Sequence, residues 1–406
     1  MLLGTVGASL ADAQVKAGVA QEAFELPRGV PLAGYSRRRG APSRGLHDPV
    51  GVRALFLEED RTAAILASCD LLIIDEYLFH AVRRRLIDAG LPSDLTLILA
   101  GTHTHSGPGA YGTRFAEKIS MGHYDPTVAE SLLSSMTRAI LRAHQQLAPI
   151  RVAYHSIETS GLIVNRVEPG GVTDSQVSVV ALYAQAMTTP MAVIVNFAAH
   201  PTTLGAWNHQ LSADYPGVVV GEIERQLPGT TALFFSGAVG DQAPVKTGTD
   251  YEPATRLGQS LARDVTKVLK EERPTMPADR LRAAWQQMQL PPAQVRLNPR
   301  VRLPRWIGRR LVDDDATLAL VQLGDVVFFG VPCDLDAELG IALKQTARSR
   351  GLHPILIGFA NDYIGYCVSE TRYASGAYEA LMAFNGPTTG TRVIEQLTAM
   401  LDSTPQ

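Results

Sequence analysis

Blocks of apolar residues alternate along the chain with amphipathic segments. Apolar runs of about 4 to 8 residues predict buried strands, and apolar positions three or four residues apart predict helices. Their alternation predicts an α/β fold, in which a single large domain has a mainly buried mixed sheet flanked by helices. The predicted strands cover residues 52–57, 63–68, 96–100, 151–155, 177–183, 192–197, 232–236, 316–321 and 326–331. The predicted helices cover residues 77–89, 126–146, 216–226, 253–270, 335–349 and 391–401.

The composition narrows the class of protein. The chain has 406 residues, of which 46% are hydrophobic and 19% charged, so it can bury a large core. Its net charge of −3 gives no general attraction to nucleic acid. Because no apolar run approaches the roughly 18 residues of a membrane span, we expect a soluble protein. Whether it is cytoplasmic or exported stays open, as do peripheral membrane contact and oligomeric state.

The N-terminal residues 1–14 are interpreted as an extension or a weak export signal. They are apolar and include an Ala-x-Ala sequence, but they lack a basic region. The cysteines are Cys69, Cys333 and Cys367, too few for a disulfide framework. They therefore do not decide the redox compartment.

Candidate chemistry concentrates where predicted strands end. His103 and His105 lie in a Gly/Pro-rich turn directly after the strand at 96–100, and His200 follows the strand at 192–197. Loops at strand ends often carry functional groups, and imidazole is the commonest metal ligand. Imidazoles from neighbouring loops joined by a carboxylate form a hydrolytic zinc site. On its own, however, His200 is more typical of a hydrogen-bonded structural histidine.

Three further strand ends carry polar groups. Asp334 follows the strand at 326–331, where the strand turns to helix, and a helix cap is a strong explanation for it. Tyrosines at 363 and 366 follow another strand-like run, and residues 236–244 form a Gly-rich turn. No Gly-Lys-Ser/Thr follows that turn, so a phosphate-binding P-loop is excluded. The chain has no Gly-x-Ser-x-Gly, so a Ser/His/Asp hydrolase is unsupported.

Residues 290–312 form an Arg/Pro-rich loop with six arginines, Trp306 and no acidic residue. The favoured interpretation is a solvated connection whose arginines pair with Asp313, Asp314, Asp315 and other surface acids. The alternative is an entrance that meets an anionic or amphipathic substrate.

Taken in order, these strand ends resemble the neutral (non-lysosomal, alkaline/neutral) ceramidase family. The most specific element is Thr102-His103-Thr104-His105-Ser106-Gly107-Pro108, and the pattern spans almost the whole chain from residue 15. The other matching segments are residues 15–20, 29–35, 165–166, 196–201, 240–244, 361–366, 378–379 and 386–387.

The resemblance implies a hydrolase that uses one Zn²⁺ per chain to cleave the amide of a ceramide-like or other N-acyl substrate, by attack of metal-bound water. It implies His103, His200, Asp334 and Tyr366 as zinc ligands. His105 and Tyr378 match groups around the reacting carbonyl, and Arg166 matches a substrate-pocket arginine. The general base is left unassigned.

The sequence departs from the family pattern at three points. Ala243 stands where the family has a serine, and Asp334 stands where it has a glutamate. We also expect no C-terminal immunoglobulin-like domain, so residues 15–406 would be one zinc hydrolase domain. These departures weaken ceramide as the substrate more than they weaken zinc-dependent hydrolysis. A zinc esterase or lactonase, a degenerate ligand-binding homologue and, last, a hydrolase using Cys333 or Cys367 remain alternatives.

Overall fold

The computed structural model describes residues 14–185, 187–271, 275–278 and 280–403. The interpretation of residues 1–14 as an extension or export signal therefore falls outside the described residues, apart from Gln14. Within the described ranges, no helix has both the length and the apolar character that a membrane crossing requires.

The strands confirm every strand predicted from the apolar runs and add others that the runs do not reveal. They are β1 (Lys16–Ala23), β2 (Gly51–Glu59), β3 (Thr62–Cys69), β4 (Thr96–Gly101), β5 (Ala148–Glu158), β6 (Ile163–Asn165), β7 (Gln176–Ala184), β8 (Ala192–Phe197), β9 (Thr231–Ser236), β10 (Gln242–Pro244), β11 (Met276–Pro277), β12 (Leu281–Gln289), β13 (Arg296–Asn298), β14 (Val301–Arg302), β15 (Asp315–Leu323), β16 (Val326–Gly330), β17 (Asp334–Leu335), β18 (His353–Ile357) and β19 (Tyr366–Cys367).

The helices follow the predicted amphipathic segments closely. They are α1 (Glu76–Asp88), α2 (Phe115–Met121), α3 (Pro126–His144), α4 (Asp214–Gln226), α5 (Glu252–Leu269), α6 (Arg305–Gly308), α7 (Ala337–Arg348), α8 (Glu370–Ser375), α9 (Tyr378–Leu381) and α10 (Thr389–Ser403). Among the side-chain caps at helix starts, Asp75 accepts from the backbone of α1, Asp125 from that of α3 and Ser369 from that of α8. A short 3₁₀ helix covers Ser36–Arg38.

Two mixed sheets form the centre of the fold. The larger has the strand order β4-β3-β2-β1-β5-β7-β8-β9, with β11 beside β5, and the smaller has the order β12-β15-β16-β18. Side chains of both sheets share one buried cluster, in which Leu55 and Ile98 of the larger sheet lie with Val321 and Phe328 of the smaller. The expected mixed α/β fold is confirmed. The division of its strands between two facing sheets is not visible in the apolar runs.

Helices cover the outer faces of both sheets. The larger sheet packs against α1 and α3 over one part and against α4 and α5 over another. The smaller sheet packs against α7 and α10. Because their apolar stripes face these sheets, the helices complete a layered arrangement.

The edges of the larger sheet approach each other, and this brings distant loops together. Ser236 at the end of β9 donates a hydrogen bond to the carbonyl of Thr102, just after β4 (2.8 Å). Ser68 of β3 donates to the carbonyl of Phe234 of β9 (2.5 Å). The loop after β8 lies there too, because the His105 N–H donates to the carbonyl of Pro201 (3.3 Å), although β4 and β8 are far apart in the strand order.

Candidate metal centre

The loop after β4 is held in an uncommon backbone conformation. His103 has a φ of 66°, in the left-handed region that non-glycine residues seldom occupy. Its N–H donates to the carbonyl of Leu71 (2.9 Å), and the N–H of Thr102 donates to Cys69 (2.7 Å). Surrounding hydrogen bonds can hold such strained conformations, which concentrate at functional sites.

A buried arginine fixes the next part of the same loop. Arg38 is only 4% exposed. One of its Nη atoms donates to the carbonyls of His105 (2.6 Å) and Ala33 (2.9 Å). The hydroxyl of Thr104 donates to the carbonyl of Ser212 (2.9 Å). These contacts orient the His105 backbone toward the end of β8.

Three imidazole nitrogens converge between the loops. His103 Nε2 lies 2.9 Å from His200 Nε2, and His105 Nε2 lies 3.3 Å from His103 Nε2 and 3.2 Å from His200 Nε2. Nitrogens bound to one zinc ion at about 2.0–2.1 Å in tetrahedral geometry lie about 3.3 Å from one another. The spacing of these nitrogens is therefore that of ligands of a single ion.

The opposite ring nitrogens decide which nitrogens have free lone pairs. His103 Nδ1 lies 2.7 Å from the carbonyl of Leu72, and His200 Nδ1 lies 3.3 Å from the carbonyl of Val239. A carbonyl can only accept, which assigns the ring proton to Nδ1 in each histidine and leaves Nε2 as an acceptor. Two acceptors 2.9 Å apart repel unless a cation lies between them.

At neutral pH a proton cannot be the cation that lies between these nitrogens. Burial lowers the pKa of His103 to about 3, and it lowers the pKa values of His105 and His200 well below the ordinary value. All three rings are therefore neutral, as metal-binding imidazoles must be. The donor set fits a bound metal cation.

Asp334 adds a carboxylate to the cluster. Its Oδ1 lies 3.8 Å from His103 Nε2 and 3.9 Å from His200 Nδ1, and has no hydrogen-bond donor among the described residues. Its Oδ2 accepts from the hydroxyl of Tyr363 (2.8 Å). Burial raises the pKa of Asp334 to about 7, against the effect of the Tyr363 hydrogen bond. A buried carboxylate oxygen without a donor is costly unless a cation compensates it.

Tyr366 lies beside Asp334 because β17 and β19 pair in parallel with these two residues in register. Its hydroxyl accepts a hydrogen bond from Arg166 Nη2 (2.8 Å), and Arg166 Nε lies 3.2 Å from a carboxylate oxygen of Glu379. Burial raises the pKa of Tyr366 well above its ordinary value, and the Arg166 guanidinium opposes that rise. The guanidinium therefore stabilises negative charge on this phenol oxygen.

Tyr378 lies at the mouth of the site. Its side chain is 60% exposed, and its ring centroid is 5.9 Å from that of Tyr366. The three histidines, Asp334, Tyr366 and Tyr378 line one cavity of about 170 Å³. Arg166 is not among the lining residues and contacts the site through its bond to Tyr366. The structure thus brings together all of the site residues predicted from the sequence.

His105 differs from its sequence-based role in one respect. The resemblance places it at the reacting carbonyl, whereas its Nε2 lies as close to the other imidazoles as a further ligand would. The geometry favours a ligand role for His105, and the carbonyl role remains a prediction.

Residues that the sequence analysis did not select also shape the site. Phe359 stacks on the ring of His103, with centroids 3.7 Å apart and planes 5° from parallel. Asn361 bonds the open edge of β4, accepting from the Leu99 N–H (2.9 Å) and donating to the Leu97 carbonyl (2.8 Å). Both have positive φ, 56° and 68°. Asn361 has a sequence signal in the matching segment 361–366, which does not say what its residues contact, and Phe359 lies outside that segment.

Ala243 and the cysteines do not contribute to the cavity. Ala243 pairs with Val164 in the ribbon of β10 and β6 and is not among the cavity-lining residues. Cys333 and Cys367 are fully buried, and burial raises the pKa of the Cys333 thiol well above its ordinary value. A thiol that stays protonated is a poor nucleophile, so this alternative receives no support.

The arginines of residues 290–312 do not make the acidic pairs expected of them. Asp313 pairs instead with Arg114, and Asp315 accepts from Gln287 (3.2 Å). Within the described ranges, no ion pair involves any arginine of this segment. The prediction that these arginines pair with Asp313, Asp314, Asp315 and other surface acids was therefore wrong.

A family model described as "Neutral/alkaline non-lysosomal ceramidase, N-terminal" matches residues 26–255, more than half of the chain. The chain belongs to this family. The matched region contains the three histidines, Arg166 and Ala243. Asp334 and Tyr366 lie beyond it.

Curated relatives have the same family name. Neutral ceramidase B from Dictyostelium discoideum is 26% identical over 249 residues, covering 53% of this chain and 34% of the relative. Neutral ceramidase from Mycobacterium tuberculosis is 22% identical over 436 aligned positions, covering 82% of this chain and 68% of the relative. The match to the Dictyostelium protein thus spans about a third of that protein's length.

Solved structures show the same fold. The crystal structure of neutral ceramidase from Pseudomonas aeruginosa matches with a TM-score of 0.84 at 19% identity, covering 97% of this chain and 76% of that one. A structure titled "Ceramidase complexed with C2" matches with the same TM-score at 18% identity. At these identities the likeness establishes the fold of the chain.

Proposed function

We propose that the chain is a zinc-dependent amidohydrolase that cleaves the amide bond of an N-acyl, ceramide-like substrate. The observation that carries this proposal is the convergence of three neutral imidazole nitrogens, with the unpartnered Oδ1 of Asp334 beside them. The family and its relatives named neutral ceramidases support the amide substrate. Imidazole and carboxylate donors suit zinc, the metal usual in hydrolytic sites of this composition.

His103, His105, His200 and Asp334 would hold the ion, with the phenol oxygen of Tyr366 as a further ligand. A zinc ion held in this way supplies Lewis acidity and lowers the pKa of a bound water to about 7. The carbonyls of Leu72 and Val239 keep two of the imidazoles in the tautomer that can bind it. The guanidinium of Arg166 stabilises negative charge on the phenol oxygen of Tyr366.

The oxygen groups of the chain would bind the ion and the substrate. Asp334 Oδ2 is bonded to Tyr363, so Oδ1 is the oxygen that would hold the ion, and the group that accepts the proton of the attacking water stays unassigned. Tyr378, exposed at the mouth, would donate to the oxygen of the scissile carbonyl, a contribution worth about 3–4 kcal/mol for a well-placed donor. Ala243 is compatible with this scheme, since no serine nucleophile is needed.

The size of the cavity limits what lies inside it. Its volume of about 170 Å³ is below the roughly 300–1,000 Å³ that encloses a drug-sized ligand. We therefore expect the cavity to hold the amide and adjacent atoms, while a long acyl chain and the amine component extend past the mouth. An amphipathic substrate suits this arrangement, in which the amide lies inside the cavity and the long chain lies outside it.

A paired substrate test examines the proposal. The protein is assayed with a short-chain N-acyl sphingoid base and with the matching ester, each before and after chelation and after Zn²⁺ is restored. We expect amide hydrolysis that chelation abolishes and zinc restores. Hydrolysis confined to the ester would replace the amidase with the esterase or lactonase alternative. No hydrolysis of either substrate by the zinc-loaded protein would favour the ligand-binding homologue.

A further inference from the structure

A protruding apolar segment lies beside the mouth of the cavity. It comprises the hairpin of β13 and β14, the short helix α6 and the residues up to 311. Its large apolar side chains are well exposed: Leu297 by 64%, Val301 by 46%, Trp306 by 66% and Leu311 by 38%. Clustered exposure of large apolar side chains, unlike single exposed residues, marks an interaction surface.

The same segment carries positive charge that the protein does not neutralise. Arg300, Arg302, Arg305, Arg309 and Arg310 are exposed, and no acidic residue occurs between 290 and 312. In the described ranges, none of these five arginines has a carboxylate partner, and Arg302 donates only to the amide oxygen of Gln294 (3.3 Å). Since the whole chain has a net charge of −3, this positive charge is local.

The base of the segment is tied to the wall of the cavity. Gln294 N–H donates to the carbonyl of Phe384 (2.6 Å), and Asn385 donates to the carbonyls of Pro291 (3.0 Å) and Asp313 (3.2 Å). Phe384 lines the cavity, as does Leu311 at the far end of the segment. A partner bound by the segment would therefore lie directly over the mouth.

We propose that this segment docks the protein on an anionic lipid bilayer, with Trp306 and Leu297 in the interface and the arginines on lipid phosphates. The proposal rests on the proposed function in one respect, since it supplies the route by which a ceramide-like substrate reaches the cavity. Guanidinium groups bind phosphate in a bidentate manner, and tryptophan favours the membrane–water interface. A bilayer offers both the phosphates and an apolar interior, whereas nucleic acid offers no apolar interior to the exposed leucine and valine.

Vesicle binding of the whole chain tests the proposal. Binding is measured with vesicles of phosphatidylcholine alone and of phosphatidylcholine with phosphatidylglycerol, at low and high salt. The test variant is R305Q/R309Q/R310Q, and its matched control is R61Q/R263Q/R392Q, which loses the same charge from exposed positions elsewhere. Each basic side chain near an anionic surface strengthens binding several-fold, so we expect the test variant to bind about 100-fold more weakly. The control should bind like the original protein.

Tryptophan quenching gives a second, local measurement. Brominated lipids in the anionic vesicles should quench fluorescence of the original protein and of the W207F variant, because Trp306 is present in both. They should quench W306F much less. Trp207 is a suitable control because it is also exposed, by 51%, but lies outside the protruding segment.

Several outcomes would overturn the docking proposal: equal binding to neutral and anionic vesicles, equal weakening by both triple variants, or quenching that W306F retains. Preference for an acidic polymer over anionic vesicles would overturn it in favour of another partner. Failure of docking and failure of the proposed function remain distinguishable through a water-soluble short-chain substrate. The R305Q/R309Q/R310Q variant should hydrolyse that substrate as fast as the original protein does. A protein that binds membranes but is not a hydrolase would cleave neither the water-soluble substrate nor a substrate in vesicles.

Discussion

The candidate metal centre has a nitrogen side, formed by His103, His105 and His200, and an oxygen side, formed by Asp334 and Tyr366. The two sides are held in place in different ways. On the nitrogen side, backbone carbonyls of Leu72 and Val239 orient His103 and His200. On the oxygen side, side chains orient the groups: the Tyr363 hydroxyl donates a hydrogen bond to Asp334, and Arg166 donates one to Tyr366. A point substitution cannot remove a backbone carbonyl but can remove a hydroxyl or a guanidinium. The oxygen side is therefore the part of the site that single substitutions can adjust, and the nitrogen side is the part they can only break.

Removing an imidazole should have the largest effect. H200A deletes a converging Nε2, and we expect loss of bound metal together with a fall in kcat/KM of about a thousandfold or more, the scale of several kcal/mol of lost charge stabilisation. The control is H155A, which removes a buried imidazole outside the cluster. Retained metal with reduced activity would show that His200 is not a ligand.

H105A separates the two roles proposed for His105. If His105 is a ligand, as its Nε2 distances favour, metal affinity falls together with kcat. If it acts only at the carbonyl, the variant keeps its metal and kcat falls by about 100- to 1,000-fold. Metal titration of the variant beside its steady-state kinetics distinguishes these results, and the second would overturn the ligand assignment.

D334N tests whether the oxygen side supplies charge. The substitution keeps the shape and removes the negative charge, so we expect weaker metal binding and a loss of about 100-fold in kcat/KM. D75N is a matched control, because Asp75 is also buried with one hydrogen-bonded and one unpartnered oxygen, but it caps α1. Equal losses in the two variants would point to folding rather than to the site.

Y363F tests the orienting role of a hydroxyl. Without the bond to Oδ2, Asp334 loses its fixed direction, and partners of metal ligands typically affect affinity or activity by about 10- to 100-fold. Y111F, which loses a hydroxyl bonded to the Ile73 carbonyl (3.0 Å), serves as the control. An unchanged kcat/KM in Y363F would remove Tyr363 from the account.

A243S should have the smallest effect. Ala243 lies in the ribbon of β10 and β6 rather than in the cavity, so restoring the family's serine should change kcat/KM by no more than about twofold. A large gain in activity would show that a serine at this position takes part in the reaction and would reopen the mechanism.

The sequence predicted the nitrogen side more completely than the oxygen side. His103, His105 and His200 follow long buried strands, and the apolar runs locate such ends directly. The roles of Asp334 and Tyr366 came only through family resemblance, because the two-residue strands β17 and β19 give no periodic pattern. Long-range partners such as Tyr363, Phe359 and Asn361 depend on how the two sheets face each other, which periodicity does not encode. The pattern also missed β1 and β12, whose polar residues interrupt the apolar runs.

The central claim is that the converging imidazoles bind one metal ion. Elemental mass spectrometry of the purified protein, beside H103A and the control H155A, tests it most directly. The account predicts about one zinc per chain, lost in H103A and kept in H155A. Absence of zinc in protein that also takes up none on addition, or full retention of zinc by H103A, would contradict the claim.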